Sequence, residues 1–349
     1  MLAPDKIVAL KKILENASRV AVVSHSHPDG DAMGSSLALA LYLKERLGKQ
    51  AVAIFPDTLP DSLDFLKCPE VLVASEKPEE SADALSSCDL LICADMNAFN
   101  RAGSLETKLS SSSAVKVLVD HHLNPDSASF ALVFSETQIS SASELAFWIL
   151  MALEDSEEAS VLPASCAEAL MTGMTTDTNN FANSVFPTTL RMASMLLSAG
   201  VDRDAILWHL YNEYRENRVR AMGYFLGELL HITEDGVAYI VVTEEVRKRF
   251  DLRDGETEGF VNIPLSIGKV RMSLLLKEDD GYYRVSIRSR KGVSANRLAG
   301  LYFNGGGHEC AAGGRLYYPA NIASRDEAAD YIEKVTARFL HEETPARPQ

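Results

Sequence analysis

The sequence predicts an α/β protein: an N-terminal domain with a mostly parallel sheet flanked by helices, linked by a helix to a smaller α/β domain. In the first half of the chain, near-continuous apolar runs alternate with helical patterns, which is typical of a parallel sheet covered on both faces. From Val237 onward, the runs "VAYIVVT", "VRMSLLLKE" and "YYRVSIRS" indicate the strands of a second domain. The length of 349 residues is enough for two domains and a substantial core.

The elements of the first half follow from the spacing of apolar residues. An amphipathic helix is predicted in "MLAPDKIVALKKILENASRV", where apolar and charged residues alternate at helical spacing. The predicted strands are "RVAVVSH", "QAVAIFP", "DLLICADM", "AVKVLVDHH" and "ASFALVF", and a helix from about Asp31 to Leu47 follows the first of them. Further helical patterns run from Ser141 to Glu154, Ala164 to Met174, Thr188 to Ser198 and about Asp202 to His231.

The last of these helical patterns is the predicted connector between the two domains. We predict a first domain over residues 1–200, a helical connector over 201–232, a second domain over 233–342 and a disordered tail over 343–349. The second domain is expected to contain helices near Ser294 to Phe303 and Arg325 to His341. The final "EETPARPQ" has little apolar surface to bury, which is why we predict disorder there.

Composition and charge limit the class of protein. Apolar residues make up 46% and charged residues 24%, which is ordinary for a soluble globular enzyme. No segment reaches the ~18 to 20 uninterrupted apolar residues of a membrane span, and the N-terminus lacks the apolar middle of a signal peptide, so a cytoplasmic location is expected. The five cysteines lack CxxC spacing, which indicates reduced thiols. The formal net charge of −15 argues against binding long nucleic acid but allows a short anionic substrate.

Aspartate and histidine residues follow three of the predicted parallel strands. They are His25, His27, Asp29 and Asp31 after the first strand, Asp95 after "LLICA", and Asp120, His121 and His122 at the end of "VKVLVDHH". Asp177 follows a helical segment. Because the carboxyl ends of parallel strands meet at one edge of a sheet, these side chains are expected to converge. Taken singly, each has a simpler explanation, such as Asp31 capping the helix that it opens. Together they predict a metal site.

The kinds of side chain indicate the metal and the chemistry. Carboxylates with a minority of imidazoles, and no thiolates, suit a hard to borderline divalent ion such as Mn²⁺, with Mg²⁺ or Co²⁺ as alternatives. So many anionic ligands would overfill one ion but fit two. A pair of ions activates a water and stabilises both the attacking and the leaving oxygen of a displacement at phosphorus. The residues therefore predict hydrolysis of a phosphoester.

These residues stand in motifs that resemble those of a known family. "HSHPDGDAMGS", "ADMN", "DHH" and the later Asp177 resemble, in this order, the four motifs of the DHH phosphoesterase superfamily. The C-terminal "FNGGGHECAAGG" resembles the glycine-rich signature of the associated DHHA1 domain. The resemblance covers nearly the whole chain. By size and domain content, the chain is similar to the stand-alone bifunctional oligoribonucleases and pAp phosphatases, the nanoRNase type.

The resemblance implies a role for each polar residue of the first domain. The implied metal ligands are His25, Asp29, Asp31, Asp95, His121 and Asp177. Of these, His25 and Asp29 would bind one ion, Asp31, His121 and Asp177 would bind the other, and Asp95 would bridge the two. His122 matches a family residue that faces the scissile phosphate, and Asp120 would orient the neighbouring ligands. His27 is at a variable position, so we expect it to be a bystander or to lie outside the ligand set.

The second domain is expected to hold the substrate. Three consecutive glycines in "NGGGHECAAGG", residues 304–314, let backbone N–H groups approach an anion closely. Arg288 comes at the end of a predicted strand, where its guanidinium could pair with phosphate. Arg290 and Lys291 stay open between phosphate binding and a solvated charge run, because successive strand residues point to opposite faces. By resemblance, the nucleotide pocket consists of Arg288, Ser289, Asn296, Gly306, Gly307 and His308.

The resemblance implies two substrates that are cut at the same kind of bond. Hydroxide formed at two metal ions would attack a phosphorus whose leaving group is a nucleotide 3′ oxygen. RNAs of two to five residues would release 5′-mononucleotides, and 3′-phosphoadenosine 5′-phosphate (pAp) would release AMP. The expected partners are therefore these short RNAs and pAp, without long nucleic acid or membrane. An oligomer is compatible with the sequence.

Three kinds of alternative remain open. A phosphodiesterase for linear pApA or cyclic di-AMP would use the same metal motifs. A RecJ-type exonuclease normally needs further domains, and an inorganic pyrophosphatase of the superfamily has a different second domain, so both fit the chain less well. A catalytically silent nucleotide- or RNA-binding regulator would be marked by the loss of a metal ligand, and every expected ligand is present.

Overall fold

The computed structural model describes residues 3–253 and 255–343. The chain divides into two units, one up to Glu213 and one from Tyr214 onward. This division lies inside the predicted connector. Apart from residue 343, the predicted disordered tail lies outside the described residues. Within the described part of the chain, no helix has the length and apolar character needed to cross a membrane.

The first unit is built on a six-stranded sheet in which every paired strand is parallel. Its strands are β1 Arg19–Val23, β2 Gln50–Phe55, β3 Val71–Val73, β4 Leu90–Ala94, β5 Val115–Asp120 and β6 Leu132–Ser135, in the spatial order β3-β2-β1-β4-β5-β6. Its helices are α1 Pro4–Asn16, α2 Gly30–Glu45, α3 Pro78–Ser87, α4 Glu106–Ser111, α5 Ala142–Glu154, α6 Ala164–Asp177, α7 Pro187–Ser198 and α8 Arg203–Tyr211. The predicted fold class is confirmed.

Both faces of this sheet are buried, and this explains the continuous apolar strands. In β1, Val20 and Val22 pack into the core formed with α1, α2, α5 and α6, while Ala21 and Val23 pack into a second core on the opposite face. Successive strand residues point to opposite faces, so a strand covered on both sides needs apolar residues at every position. The central strands β1, β4 and β5 are therefore covered on both faces. Polar residues follow directly at their carboxyl ends.

The second unit contains a mixed six-stranded sheet in the order β11-β12-β10-β9-β8-β7. Its strands are β7 His231–Ile232, β8 Val237–Val242, β9 Met272–Asp279, β10 Tyr282–Ser289, β11 Gly306–Gly307 and β12 Ala311–Tyr317. Its helices are α9 Glu216–Tyr224, α10 Glu244–Arg249, α11 Ala295–Tyr302 and α12 Ala328–Glu343, with a π-helical segment over Phe225–Leu229. Among the strands described in this unit, only β8 and β9 pair in parallel.

The helix predicted from about Asp202 to His231 is interrupted. Helix α8 ends at Tyr211, and α9 begins at Glu216. Between them, Arg215 has extended backbone angles and forms ion pairs with Asp251 at 2.6 Å and Glu256 at 3.1 Å. These partners are distant in sequence, so the local helical pattern gave no sign of the break.

Candidate metal centre

The carboxyl ends of three adjacent strands place the predicted polar residues at one edge of the first sheet. Strands β1, β4 and β5 are neighbours, and all three are parallel. His25 follows β1, Asp95 follows β4, and Asp120 is the last residue of β5. Helix α2 adds Asp29 and Asp31 at its start, and Asp177 is the last residue of α6 rather than a residue beyond it. These side chains therefore lie together at the edge of the sheet where open parallel sheets bind their ligands.

Asp29, and not Asp31, caps helix α2. Its Oδ1 accepts hydrogen bonds from the backbone N–H groups of Asp31 and Ala32, both at 3.0 Å. The idea that Asp31 only caps its helix is therefore wrong. Capping fixes the Asp29 carboxylate at the turn that carries His25, whose Nε2 lies 4.0 Å from the same Oδ1.

Asp31 is buried against the start of another helix. Its Oδ2 accepts from the backbone N–H of Ala142 at 2.7 Å, and its Oδ1 accepts from that of Ser143 at 2.9 Å, both in the first turn of α5. The partial positive charge at a helix N-terminus favours the carboxylate. Burial and the charges of Asp95 and Asp177 nevertheless raise the pKa of Asp31 well above its usual value. So many carboxylates in one buried place call for a cation.

Asp95 occupies the centre of the cluster. Its Oδ2 lies 3.3 Å from His25 Nε2, and its Oδ1 lies 3.4 Å from His121 Nε2 and 3.7 Å from His122 Nδ1. Burial alone would raise the pKa of Asp95, but the adjacent rings of His121 and His25 outweigh it, and the pKa falls well below its usual value. Asp95 also has a left-handed φ of 56°, which is rare outside glycine and often marks a functional residue.

Asp95 Oδ1 is buried, and its contacts do not meet hydrogen-bond geometry with any described residue. A buried carboxylate oxygen without such a partner is costly unless another cation satisfies it. Two ligand groups, His25–Asp29–Asp95 and Asp31–Asp95–His121, each have ligand atoms within 4.8 Å of one another and share Asp95. Asp177 Oδ2 adds a further carboxylate 3.7 Å from His121 Nε2. These buried His and Asp clusters fit the binding of divalent metal ions.

His122 is oriented by Asp120. The His122 Nδ1 lies 2.8 Å from Asp120 Oδ1, and the His122 backbone N–H donates to Asp120 Oδ2 at 3.1 Å. Asp120 is fully buried, so its carboxylate holds both the ring and the backbone of its neighbour. This arrangement leaves Nε2 as the ring nitrogen that Asp120 does not bind.

His27 belongs to none of the candidate ligand groups in the described chain. Its backbone N–H donates to Asp57 Oδ2 at 2.8 Å, and 48% of its side chain is exposed. The left-handed φ of 54° at His27 belongs to the turn between β1 and α2. That His27 lies outside the ligand set stays a prediction.

Helix α5 is held by a network that the sequence analysis did not identify. Glu144 is fully buried, and its Oε2 accepts from the backbone N–H of Ser140 at 3.0 Å and from Thr189 Oγ1 at 2.7 Å. The hydroxyl of Ser141 caps the same helix by accepting from the Glu144 N–H at 2.9 Å. The S-x-x-E spacing of a capping box was the signal that could have revealed it. Through α5, this network fixes the two N–H groups that hold Asp31.

The predicted nucleotide pocket lies at one end of the second sheet. Residue 288 pairs with Ala311 of β12, and the Gly307 N–H donates to Asn296 Oδ1 at 2.9 Å. Gly307 has a φ of 147°, and a Cβ atom there would lie 2.7 Å from the Ala311 carbonyl oxygen, so only glycine fits. The structure thus brings together Arg288, Asn296, Gly306, Gly307 and His308 around the ends of β10, β11 and β12.

Ser289 and Arg290, close to this pocket in the sequence, form side-chain hydrogen bonds to backbone carbonyls. Ser289 is buried, and its hydroxyl donates to the Val293 carbonyl at 2.6 Å, which holds the turn after β10. Arg290 donates to the carbonyls of Leu265 at 2.8 Å and Ile267 at 3.2 Å. For Arg290, which the sequence left open, these bonds favour a structural role. Lys291 is exposed.

Manganese binding is expected to release protons near pH 8. Burial lowers the pKa of both His25 and His121, but the adjacent Asp95 carboxylate outweighs it and raises these pKa values to about 9 and about 10. Both values lie above the ordinary 6.5, so the stabilisation from these protonated rings is complete below pH 6.5 and is lost as the pH rises through 9 to 10. A metal ion needs neutral rings. Its apparent affinity should therefore rise with pH up to that range.

Calorimetric titration of the metal-free protein in two buffers of different ionisation enthalpy measures this release. The expected result is more than one proton released per molecule at pH 8, and an unchanged value for His27→Gln. A manganese affinity that is independent of pH between 6.5 and 9, with no proton released, would contradict the assignment of His25 and His121 as ligands.

Two family models match this chain. The model of the DHH family, N-terminal domain, matches residues 19–174, and the model of the DHHA1 domain matches residues 234–337. The chain is 28% identical over 302 residues to the bifunctional oligoribonuclease and PAP phosphatase NrnA of Bacillus subtilis, covering 85% of this chain and 89% of that protein.

Two further relatives span nearly all of this chain. A crystal structure of an exopolyphosphatase-related protein from Bacteroides fragilis is 35% identical, with a TM-score of 0.88, and covers 98% of each chain. The cyclic-di-AMP phosphodiesterase GdpP of Geobacillus thermodenitrificans is 26% identical over 337 residues, covering 93% of this chain but 49% of that protein.

Proposed function

Because this chain belongs to the DHH phosphoesterase family and carries a DHHA1 domain, we propose that it hydrolyses short oligoribonucleotides to 5′-mononucleotides and pAp to AMP. The observation that carries the proposal is the buried Asp95, shared by two ligand groups and left with an oxygen outside hydrogen-bond geometry. The choice of substrates is supported by the NrnA protein of Bacillus subtilis, which matches along 89% of its length.

The proposed ligands divide into two sets. His25 and Asp29 would hold one ion, Asp31, His121 and Asp177 would hold the other, and Asp95 would contribute to both. Two such ions, of which Mn²⁺ suits these ligands best, supply an activated water and neutralise charge that develops at the phosphorus. Asp29 is fixed by capping α2, and Asp31 by the first N–H groups of α5. The ligands are thus in place before substrate arrives, which reduces the reorganisation that the reaction requires.

His122 has a separate role in this proposal. Asp120 binds Nδ1, so Nε2 is the ring nitrogen left to face the scissile phosphate. Breaking the bond between phosphorus and a nucleotide 3′ oxygen would yield a 5′-mononucleotide from RNA and AMP from pAp. One arrangement of residues then serves both substrates.

We assign recognition of the rest of the substrate to the second unit. Its proposed contacts are Arg288, Ser289, Asn296, Gly306, Gly307 and His308. Arg288 can supply positive charge to a phosphate, His308 a ring nitrogen, and the glycine turn backbone N–H groups. The net charge of −15 supports short substrates, because a long phosphate backbone would meet a largely acidic protein.

A second candidate is hydrolysis of cyclic di-AMP or of its linear form pApA. The observation in its favour is the match of GdpP, a cyclic-di-AMP phosphodiesterase, along 93% of this chain. A nucleotide- or RNA-binding regulator without activity is a third candidate, but the described chain retains all six proposed ligands.

One experiment separates these candidates. Hydrolysis of a 5′-labelled RNA dinucleotide, a long single-stranded RNA, pAp, pApA and cyclic di-AMP is compared side by side with manganese present. Cleavage of the dinucleotide and pAp with the long RNA spared supports the proposal. Much faster turnover of pApA or cyclic di-AMP would replace it with the second candidate, and nucleotide binding without any cleavage would leave the regulator.

A further inference from the structure

Arg101 lies beside the loop that carries the proposed metal ligands. It belongs to the 3-10 helical segment Phe99–Leu105 that follows β4, and its carbonyl accepts a hydrogen bond from the Ser26 N–H at 2.7 Å. Gly103 of the same segment also lies close to Ser26, since a Cβ atom on residue 103 would be 3.1 Å from Ser26 Cβ. The segment is therefore packed directly against the residue that follows His25.

Arg101 is half-buried as a residue, and its guanidinium forms no hydrogen bond or ion pair with the side chains or carbonyls of the described residues. The backbone bond to Ser26 places Arg101 beside the residue that follows His25. Arginine side chains near carboxylates usually pair with them, and this edge of the sheet carries Asp29 and Asp95. Arg101 is thus a cation that forms no ion pair with the proposed metal ligands.

We propose that Arg101 binds the scissile phosphate of the substrate, an inference that rests on the proposed function. A guanidinium presents parallel N–H donors that match two oxygens of a phosphate. The edge of the sheet is otherwise rich in carboxylates, which repel a phosphodiester. Arg101 offsets this repulsion and stabilises the negative charge that grows on the non-bridging oxygens during attack. As a cation it cannot ligate metal, so its effect is separable from metal binding.

The test compares Arg101→Ala and Arg101→Lys with Arg19→Ala, the control. Arg19 is the exposed first residue of β1, at the opposite end of the strand from His25. We expect Arg101→Ala to lower kcat/KM for pAp by about 100-fold, because it removes a donor to a developing charge. Arg101→Lys should retain part of the activity, and Arg19→Ala nearly all of it. Manganese affinity, measured by calorimetry, should be the same in all four proteins.

Chemical rescue separates substrate contact from a merely structural role. Added guanidinium ions, at concentrations that do not unfold the protein, should restore activity several-fold in Arg101→Ala and not in wild type or Arg101→Lys. Wild-type kcat/KM in Arg101→Ala would overturn the proposal, as would a loss of activity that follows a loss of manganese affinity without rescue.

A second readout tests Arg101 even if the proposed function fails. If the wild-type protein cleaves none of the substrates, binding of inorganic phosphate to the manganese-loaded protein replaces kcat/KM as the readout. At least ten-fold weaker phosphate binding by Arg101→Ala than by wild type and Arg19→Ala then supports the role of Arg101. Equal phosphate binding by the three proteins overturns it.

Discussion

Asp95→Asn is expected to lower kcat for pAp and for an RNA dinucleotide by at least about a thousand-fold, which corresponds to about 4 kcal/mol of lost transition-state stabilisation. Asparagine keeps the shape of the side chain but removes the charge that both ligand groups share. One substitution thus weakens both ion sites. Calorimetric titration should show weaker manganese binding in the same variant.

Asp57→Asn is the matched control for this substitution. Asp57 follows β2 at the same edge of the sheet, but its carboxylate binds the His27 backbone N–H and belongs to no ligand group in the described chain. Asparagine keeps an oxygen that accepts that hydrogen bond, so this variant should retain activity within about three-fold. An Asp95→Asn enzyme with more than a tenth of wild-type kcat would contradict the central role of Asp95.

Gly34→Ala is expected to destabilise the first unit by about 3 kcal/mol or more. Helix α2 crosses α6 at this position, and a Cβ atom on residue 34 would lie 2.5 Å from the Ala169 carbonyl oxygen and 2.8 Å from Gly173 Cα. Both neighbours are backbone atoms of α6, so neither can rotate away. Because α2 carries Asp31 and α6 carries Asp177, the forced separation of these helices should also weaken manganese binding.

Urea unfolding followed by far-ultraviolet circular dichroism measures this loss, and tryptophan fluorescence assigns it. Both tryptophans, Trp148 and Trp208, lie in the first unit. Gly223→Ala in α9 is the control, since a Cβ atom there would meet nothing within 4 Å. Alanine in a helix should stabilise by up to about 1 kcal/mol at such a position. An unfolding midpoint of Gly34→Ala equal to that of wild type would show that the two helices can separate without cost.

The first sheet could be predicted because burial on both faces makes its strands continuously apolar. Val20 and Val22 serve one core, and Ala21 and Val23 serve the other, so the pattern is visible without knowledge of the neighbours. The three-residue strand β3 and the diglycine strand β11 are too short to show a pattern. The break before Arg215 depends on ion pairs with residues distant in the chain.

Only some residues of the candidate site could be predicted from the sequence. Residues at strand ends, such as Asp95 and His121, could be predicted because parallel strands deliver their carboxyl ends to one edge. The roles of Glu144 and Arg101 could not. Glu144 acts through Thr189 and α5, and Arg101 through a loop that packs on Ser26, so both depend on tertiary contacts.

Anomalous diffraction at the manganese absorption edge, from crystals grown with Mn²⁺, tests the account most directly. Two peaks are predicted at the carboxyl ends of β1, β4 and β5, with Asp95 bound to both ions, His25 and Asp29 bound to one, and Asp31 and His121 bound to the other. The absence of peaks at this edge, or a single ion that Asp95 does not bind, would contradict the two-ion centre on which the proposed phosphoester hydrolysis depends.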